Sequence, residues 1–77
     1  MGKVVRFTVV DATGAVAAGQ TILAGDVELT TTSQGVAQAL MDDGNTVIKV
    51  NGVKAYEGAV EALKSVETFT TSGQRQA

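Results

Sequence analysis

The chain repeats one pattern: short segments rich in β-branched residues, each closed by Gly, Asn, Asp or Ser before the next begins. Turn signals at a spacing of about eight to twelve residues are typical of an all-β sandwich or small barrel. In the first segment, Val5, Phe7 and Val9 fall on one face at a period of two. We therefore predict an all-β domain, with strands over residues 3–10, 20–24, 27–32, 36–41, 46–50, 53–57, 58–62 and 66–71.

The dipeptide Asn51-Gly52 is the strongest local signal in the sequence. Both residues accept the positive φ that a type I′ turn requires, and this turn joins two antiparallel strands with matching twist. The dipeptide therefore predicts a β-hairpin between a strand near 46–50 and a strand near 53–57.

The segment after this hairpin supports two interpretations. Alternating small residues favour a strand near 58–62, whereas apolar residues at helical spacing among Ala, Glu, Leu and Lys favour a short helix near 59–66. The last residues, 72–77, are polar and predict a free C-terminal tail. We therefore expect a single β-sandwich domain over residues 1–71, followed by that tail.

The composition excludes several functional classes. The chain has 77 residues, enough for one small domain, and its lack of Cys and His removes disulfides, the commonest metal ligand and the commonest general base. Its net charge of −2 and six scattered basic residues argue against nucleic acid as a partner. No apolar run approaches the ~18 residues of a membrane span, and the first residues lack a long apolar segment, so we expect no secretory signal. Because so small a domain buries only ~60% of its unfolded surface, we expect a partner to stabilise it.

The adjacent carboxylates Asp42 and Asp43, directly before Gly44, are the main candidate for a metal or catalytic site. A calcium loop needs carboxylates at alternate positions closed by a late Glu, and a glycosidase needs two carboxylates facing across a cleft. Asp beside Gly instead favours a turn. We predict that both residues turn the chain, with a weak surface cation site as the alternative. We assign no catalytic, cofactor-binding or metal-binding residue and expect no enzyme activity.

Two further stretches have a functional and a simpler interpretation. The stretch Asp11-Ala12-Thr13-Gly14 has only a superficial similarity to the Asp-Thr-Gly of aspartic proteases, because Ala12 interrupts it, so we predict a loop. The row Thr30-Thr31-Thr32-Ser33 could face a glycan, but a solvated strand rich in β-formers is the interpretation that we favour.

The order of these pieces resembles the carboxypeptidase regulatory-like, or transthyretin-like, β-sandwich family over residues 4–52. The matching residues are Val9-Val10-Asp11 with Gly14, Val16 and Gly19 leading to Ile22, Thr31 with Gly35, Leu40 with Asp43-Gly44, and Val47, Ile48 and Val50. The family places aromatic residues where this chain has Val36 and Asn45-Thr46. The resemblance implies a small Ig-like or transthyretin-like antiparallel β-sandwich of about six to seven strands that serves as a non-catalytic module.

In format, a small, Cys-free, acidic sandwich is similar to the head decoration (cement) proteins of tailed bacteriophages. That similarity implies a structural protein of the virion, made in the host cytoplasm, which binds the outside of the shell through the major capsid protein. A homo-oligomer is a further expectation, with residues 1–6, 12–19 and 66–77 as contact elements. The alternative is a glycan- or peptide-binding module that uses the face around Thr30–Thr32 or an exposed sheet edge.

Overall fold

The structure is a computed structural model in which residues 2–75 are described. These residues form seven strands and a single-turn 3-10 helix over Val60–Ala62; the strands are β1 (Lys3–Val10), β2 (Thr21–Ala24), β3 (Val27–Thr30), β4 (Val36–Met41), β5 (Asn45–Val50), β6 (Val53–Ala59) and β7 (Val66–Thr70). The described residues contain no helix long and apolar enough to cross a membrane.

The strands form two sheets that pack face to face. One sheet has three strands in the order β4-β1-β7, and the other has four in the order β3-β2-β5-β6. The predicted all-β sandwich of six to seven short strands is confirmed. Four strand pairs are antiparallel, and β1 runs parallel to β7, with Val9 opposite Phe69.

The period-two pattern of β1 builds one wall of the core. Val5, Phe7 and Val9 are fully buried, and the Phe7 ring lies 6.0 Å from the Phe69 ring in a tilted arrangement. The opposite sheet supplies most of the other wall, and the buried apolar residues together are Val5, Phe7, Val9, Ile22, Ala24, Ala37, Met41, Ile48, Val50, Val60, Leu63 and Phe69. Each large side chain buried here contributes ~1.5–3 kcal/mol, so the β1 pattern contributes much of the stability.

The predicted hairpin at Asn51-Gly52 is confirmed. Asn51 has a φ of 52° and Gly52 a φ of 85°, as a type I′ turn requires, and the turn joins β5 to β6. The Asn51 side chain accepts a hydrogen bond from the Thr21 N–H at 3.1 Å, and its amide donates to Gln20 Oε1 at 2.8 Å. The turn is therefore anchored to the start of β2.

The two interpretations of residues 58–66 each describe part of the structure. The strand predicted near 58–62 is wrong beyond Ala59, where β6 ends, and the helix is one 3-10 turn instead of a helix over 59–66. The Leu63 N–H donates to the Val60 carbonyl at 3.0 Å, and both side chains are buried. Side chains three residues apart lie on the same side of a 3-10 turn, so this turn directs both apolar residues into the core. The strand predicted at 66–71 is confirmed as β7.

Residues 72–75, predicted as part of a free tail, lie against the three-stranded sheet. Arg75 forms a bridge with Phe69, the Thr70 N–H donates to the Gln74 carbonyl at 2.8 Å, and Gly73 is buried against Val53. We call residues 72–75 the C-terminal strap. Residues 76 and 77 lie outside the described residues, and the domain boundary at residue 71 stays a prediction.

Candidate interaction surface

Asp42 and Asp43 lie in the connection between β4 and β5, and both are exposed. Because β4 and β5 belong to different sheets, this connection is an arch that carries the chain across the sandwich instead of the corner of a hairpin. The Gly44 carbonyl accepts a hydrogen bond from the Val60 N–H at 2.8 Å, which ties the arch to the 3-10 turn. Within residues 2–75, no three His, Cys, Asp or Glu side chains are close enough to hold a metal ion.

The loop after β1 is organised by one carboxylate. Asp11 accepts hydrogen bonds from the Thr13 hydroxyl at 2.6 Å, from the Thr13 N–H at 2.9 Å and from the Ala15 N–H at 3.1 Å. These bonds, first of all the one from the Thr13 hydroxyl, hold the pKa of Asp11 below its ordinary value. A side chain that bonds to backbone N–H groups two and four residues on shapes a turn. Asp11 therefore has a structural use, as the loop prediction requires.

The threonine row at residues 30–33 is not the solvated strand that the sequence predicts. β3 ends at Thr30, and Thr31 is only 4% exposed. The Thr31 hydroxyl donates to the Ala17 carbonyl at 2.9 Å and accepts from the Gln20 N–H at 2.8 Å. Thr31 therefore holds the loop before β2, while Thr30, Thr32 and Ser33 are exposed.

Three of the six large apolar side chains that are exposed among the described residues lie on the three-stranded sheet, on the side away from the core. We call it the outer face, and its strand residues are Val36, Gln38 and Leu40 of β4, Val4, Arg6, Thr8 and Val10 of β1, and Val66, Thr68 and Thr70 of β7. Leu40 is 66% exposed, and Val4 directly opposite it is 51% exposed. Exposed apolar side chains that lie beside polar ones on one face are typical of an interaction site.

Arg6 is the one charged residue among the strand positions of the outer face. It lies between Gln38 of β4 and Val66 of β7, and it lines a shallow cavity of about 230 Å³ together with Thr32 and Gln34. Among the described residues no ion pair forms with its guanidinium. The outer face therefore combines exposed apolar side chains with a single available positive charge.

An ion pair covers the edge of this sheet that β7 forms. Glu67 of β7 points inward and is 2% exposed, and its carboxylate accepts from Arg75 Nε and Nη2, both at 2.8 Å. It also accepts from the Lys64 N–H at 2.6 Å. Burial by itself raises the pKa of Glu67, but the hydrogen bonds from Arg75 and Lys64 outweigh it and hold this pKa below its ordinary value.

Arg75 also joins the two sheets. Its guanidinium lies 5.1 Å from the ring centroid of Tyr56 in β6, a cation–π distance, while it holds Glu67 in β7. The Tyr56 hydroxyl donates to the Ala59 carbonyl at 2.7 Å, which fixes the ring. The strap thus covers the side of the sandwich where the edges of β6 and β7 approach each other.

The contact elements expected from the sequence fall in different environments. Residues 3–6 belong to β1, the central strand of its sheet, and residues 72–75 form the strap, so neither stretch is a free arm. The loop 12–19 is mostly exposed, and Val16 within it is 54% exposed. The outer face was not identified from the sequence, because the pairing of β1, β4 and β7 that assembles it joins residues far apart in the chain.

Comparison with models of protein families, with curated proteins and with solved structures gave no match to this chain. The resemblance to carboxypeptidase regulatory-like domains and to phage decoration proteins stays a prediction.

Proposed function

We propose that this chain is a non-enzymatic structural protein that binds a protein shell through its outer face, as a capsid decoration (cement) protein of a tailed bacteriophage. The observation that carries the proposal is the exposed apolar set Val4, Leu40 and Val66 around the single charge of Arg6. An interface core is apolar and depleted in charge, and Arg is one of the residues enriched there.

The energetics of the domain agree with a role in an assembly. A partner that binds only the folded state of a protein stabilises that state by mass action. Val4, Leu40 and Val66 are each exposed by half or more, so burying them against a shell contributes roughly 1 kcal/mol apiece, part of the ~1.5–3 kcal/mol for full burial. Binding would strengthen the sandwich and the shell together.

A matched pair of variants tests the proposal on expanded tailed-phage heads that lack their decoration protein. Val66 and Val27 each begin an edge strand and are 51% and 47% exposed, but only Val66 lies on the outer face. We expect wild type and Val27→Asp to occupy the heads and raise their thermal midpoint, and Val66→Asp to lose at least tenfold in affinity. Equal binding by both variants, or no binding by wild type to heads of any major capsid protein tried, would contradict the proposal.

A second proposal, a glycan-binding module, draws on a different surface. An open cavity of about 550 Å³ lies between the loop after β1 and the start of the strap, and Asp11, Thr13, Thr70, Thr71 and Ser72 line it with a carboxylate and hydroxyls. Hydroxyl and carboxylate groups can bind sugar hydroxyls. Binding of wild type to an oligosaccharide array, lost in Thr71→Val, together with no binding to phage heads, would favour this function.

A further inference from the structure

The two sheets present four edge strands in the described part of the chain, and three of them are protected. β3 carries Glu28, β6 carries Lys54 and Glu57, and β7 is covered by the strap through Arg75. Charged side chains and covering segments are the devices that prevent edge strands from pairing with other chains. The fourth edge, β4, has the sequence Val-Ala-Gln-Ala-Leu-Met, without a charge, a proline or a bulge.

The backbone of β4 has groups available on its free side. The Gly35 carbonyl accepts from the Val9 N–H at 2.8 Å, so Gly35 faces β1. Successive residues of a strand direct their backbone N–H and C=O groups to opposite edges of the strand. The backbone groups of Val36, Gln38 and Leu40 therefore point away from β1. The Val36 carbonyl already accepts from the Thr32 N–H at 2.9 Å, and a carbonyl can accept a second bond. The backbone groups of Gln38 and Leu40 have no partner of this kind among the described residues.

We infer that β4 pairs with β4 of a second copy of this chain in an antiparallel, two-fold arrangement centred on Gln38. A two-fold axis perpendicular to the sheet keeps the outer faces of both copies on the same side of the joined sheet. Residues whose side chains lie on the outer face must therefore pair with residues of the same kind. With Gln38 opposite Gln38 of the partner subunit, Val36 faces the partner's Leu40, and Leu40 faces the partner's Val36. This register uses all three residues whose backbone groups face outward, and it forms a continuous six-stranded sheet.

The side chains in this register complement one another, which favours a second copy as the occupant. The two Gln38 amides are directly opposite, at the ~4.5–5.5 Å Cβ separation of cross-strand pairs, and each offers both donors and an acceptor. The flanking pairs join Val36 to Leu40 of the partner subunit, apolar against apolar. No strand position in the pairing is charged, so the two-fold axis brings no like charges together.

The size of the contact sets the strength of the dimer. A pairing of five residues per chain is small beside the ~800 Å² per partner of a standard specific interface. The dimer is therefore a weak, concentration-dependent species, and it does not depend on the proposed function. Its effect on the molecule is to place two outer faces side by side, with the exposed Leu40 of each copy next to Val36 of the other.

The experiment uses charge at the two-fold axis. Sedimentation velocity of the full chain over ~10 µM to 2 mM should show a monomer–dimer equilibrium. Gln38→Glu and Gln38→Lys each place like charges directly opposite, which is destabilising, so each variant alone should weaken dimerisation at least tenfold. An equimolar mixture of the two should recover dimers, because opposite charges then face each other. Gln74→Glu, the same change on the strap at the far edge of the sheet, should dimerise like wild type.

Each outcome decides the inference. Recovery in the mixture supports the Gln38 register, since a mere loss of folding in either variant cannot be repaired by mixing. Amide exchange of wild type gives a second measurement: the Gln38 and Leu40 N–H groups should exchange more slowly as concentration rises. A wild-type chain that stays monomeric at 2 mM, single variants that still dimerise, or a mixture that stays monomeric would each overturn the proposal.

Discussion

Replacing Gly35 with alanine is expected to remove a large part of the stability of this domain. Gly35 precedes β4 with a φ of +74°, and it is buried beside the loop that contains Val16. A Cβ placed there would lie 2.9 Å from Val16 Cβ, 3.0 Å from Ala17 N and 3.0 Å from Val9 O. Two of these three atoms belong to the backbone, so a change of rotamer cannot relieve the contact.

The expected loss of unfolding free energy in Gly35→Ala has two parts. A residue with a Cβ in the left-handed region costs ~1–2 kcal/mol, and overpacking a well-packed site typically costs ~1–3 kcal/mol. The sum, ~2–5 kcal/mol, compares with a whole-domain stability of ~4–12 kcal/mol at ~0.05–0.15 kcal/mol per residue. Gly52→Ala is the matched control, because Gly52 has a φ of +85° and no atom within 4 Å of its Cβ position. It should lose only the first part, ~1–2 kcal/mol.

Urea unfolding followed by far-ultraviolet circular dichroism measures both variants. With a slope of ~1–3 kcal/mol per molar urea, a further loss of ~1–3 kcal/mol in Gly35→Ala is a readily measured shift of the midpoint. Equal losses in the two variants would refute the reasoning, since they would mean that the loop at Val16 yields to the added methyl group without cost.

Four further predictions follow from the turn, the ion pair and the arch. Gly52→Val should destabilise by more than ~1 kcal/mol, because a β-branched residue resists positive φ; an unchanged denaturation midpoint would contradict this. Arg75→Ala should cost about 2 kcal/mol, less than the ~3–5 kcal/mol of a fully buried pair because Arg75 is one-third exposed, and adding Glu67→Gln should restore part of that loss in thermal unfolding. Folding lowers the pKa of Glu67, so its carboxylate contributes to stability at neutral pH, and this contribution is lost as the pH falls below ~4.3 through the folded-state pKa. Glu67→Gln should therefore make the thermal midpoint depend less on pH over that range. An unchanged dependence on acid pH would count against the ion pair. The double change Asp42→Asn with Asp43→Asn should preserve folding and binding, because Asn serves a turn as well as Asp; a calorimetric calcium signal that disappears in this variant would show a cation site instead.

Sequence reasoning succeeded where the signal is local. The alternation in β1 placed Val5, Phe7 and Val9 on one face, which is the buried one, and Asn51-Gly52 identified its hairpin, because both follow from backbone geometry over a few residues. In β4 the signal is weaker. Apolar residues occur on both of its faces, so periodicity alone does not show that Val36, Gln38 and Leu40 face away from the core.

The features that sequence reasoning missed depend on contacts between distant residues. The parallel pairing of β1 with β7 and the ion pair of Glu67 with Arg75 arise only when both sheets are assembled. A polar stretch such as 72–75 predicts a free tail from composition alone, since no local signal indicates that its arginine meets a buried carboxylate. The arch at Asp42 similarly has the composition of a hairpin turn, and only the sheet order distinguishes the two.

The parallel pairing of β1 and β7 has a mechanical consequence. Force that pulls the start of β1 and the end of β7 apart acts along the two strands in opposite directions, so it loads their hydrogen bonds in shear and all of them must fail together. An antiparallel pair pulled from one end opens one bond at a time. Forced unfolding is governed by the unfolding rate, and we expect shear loading to make that rate slow in this domain. We therefore expect this sandwich to resist stretching along β1 better than its modest core suggests.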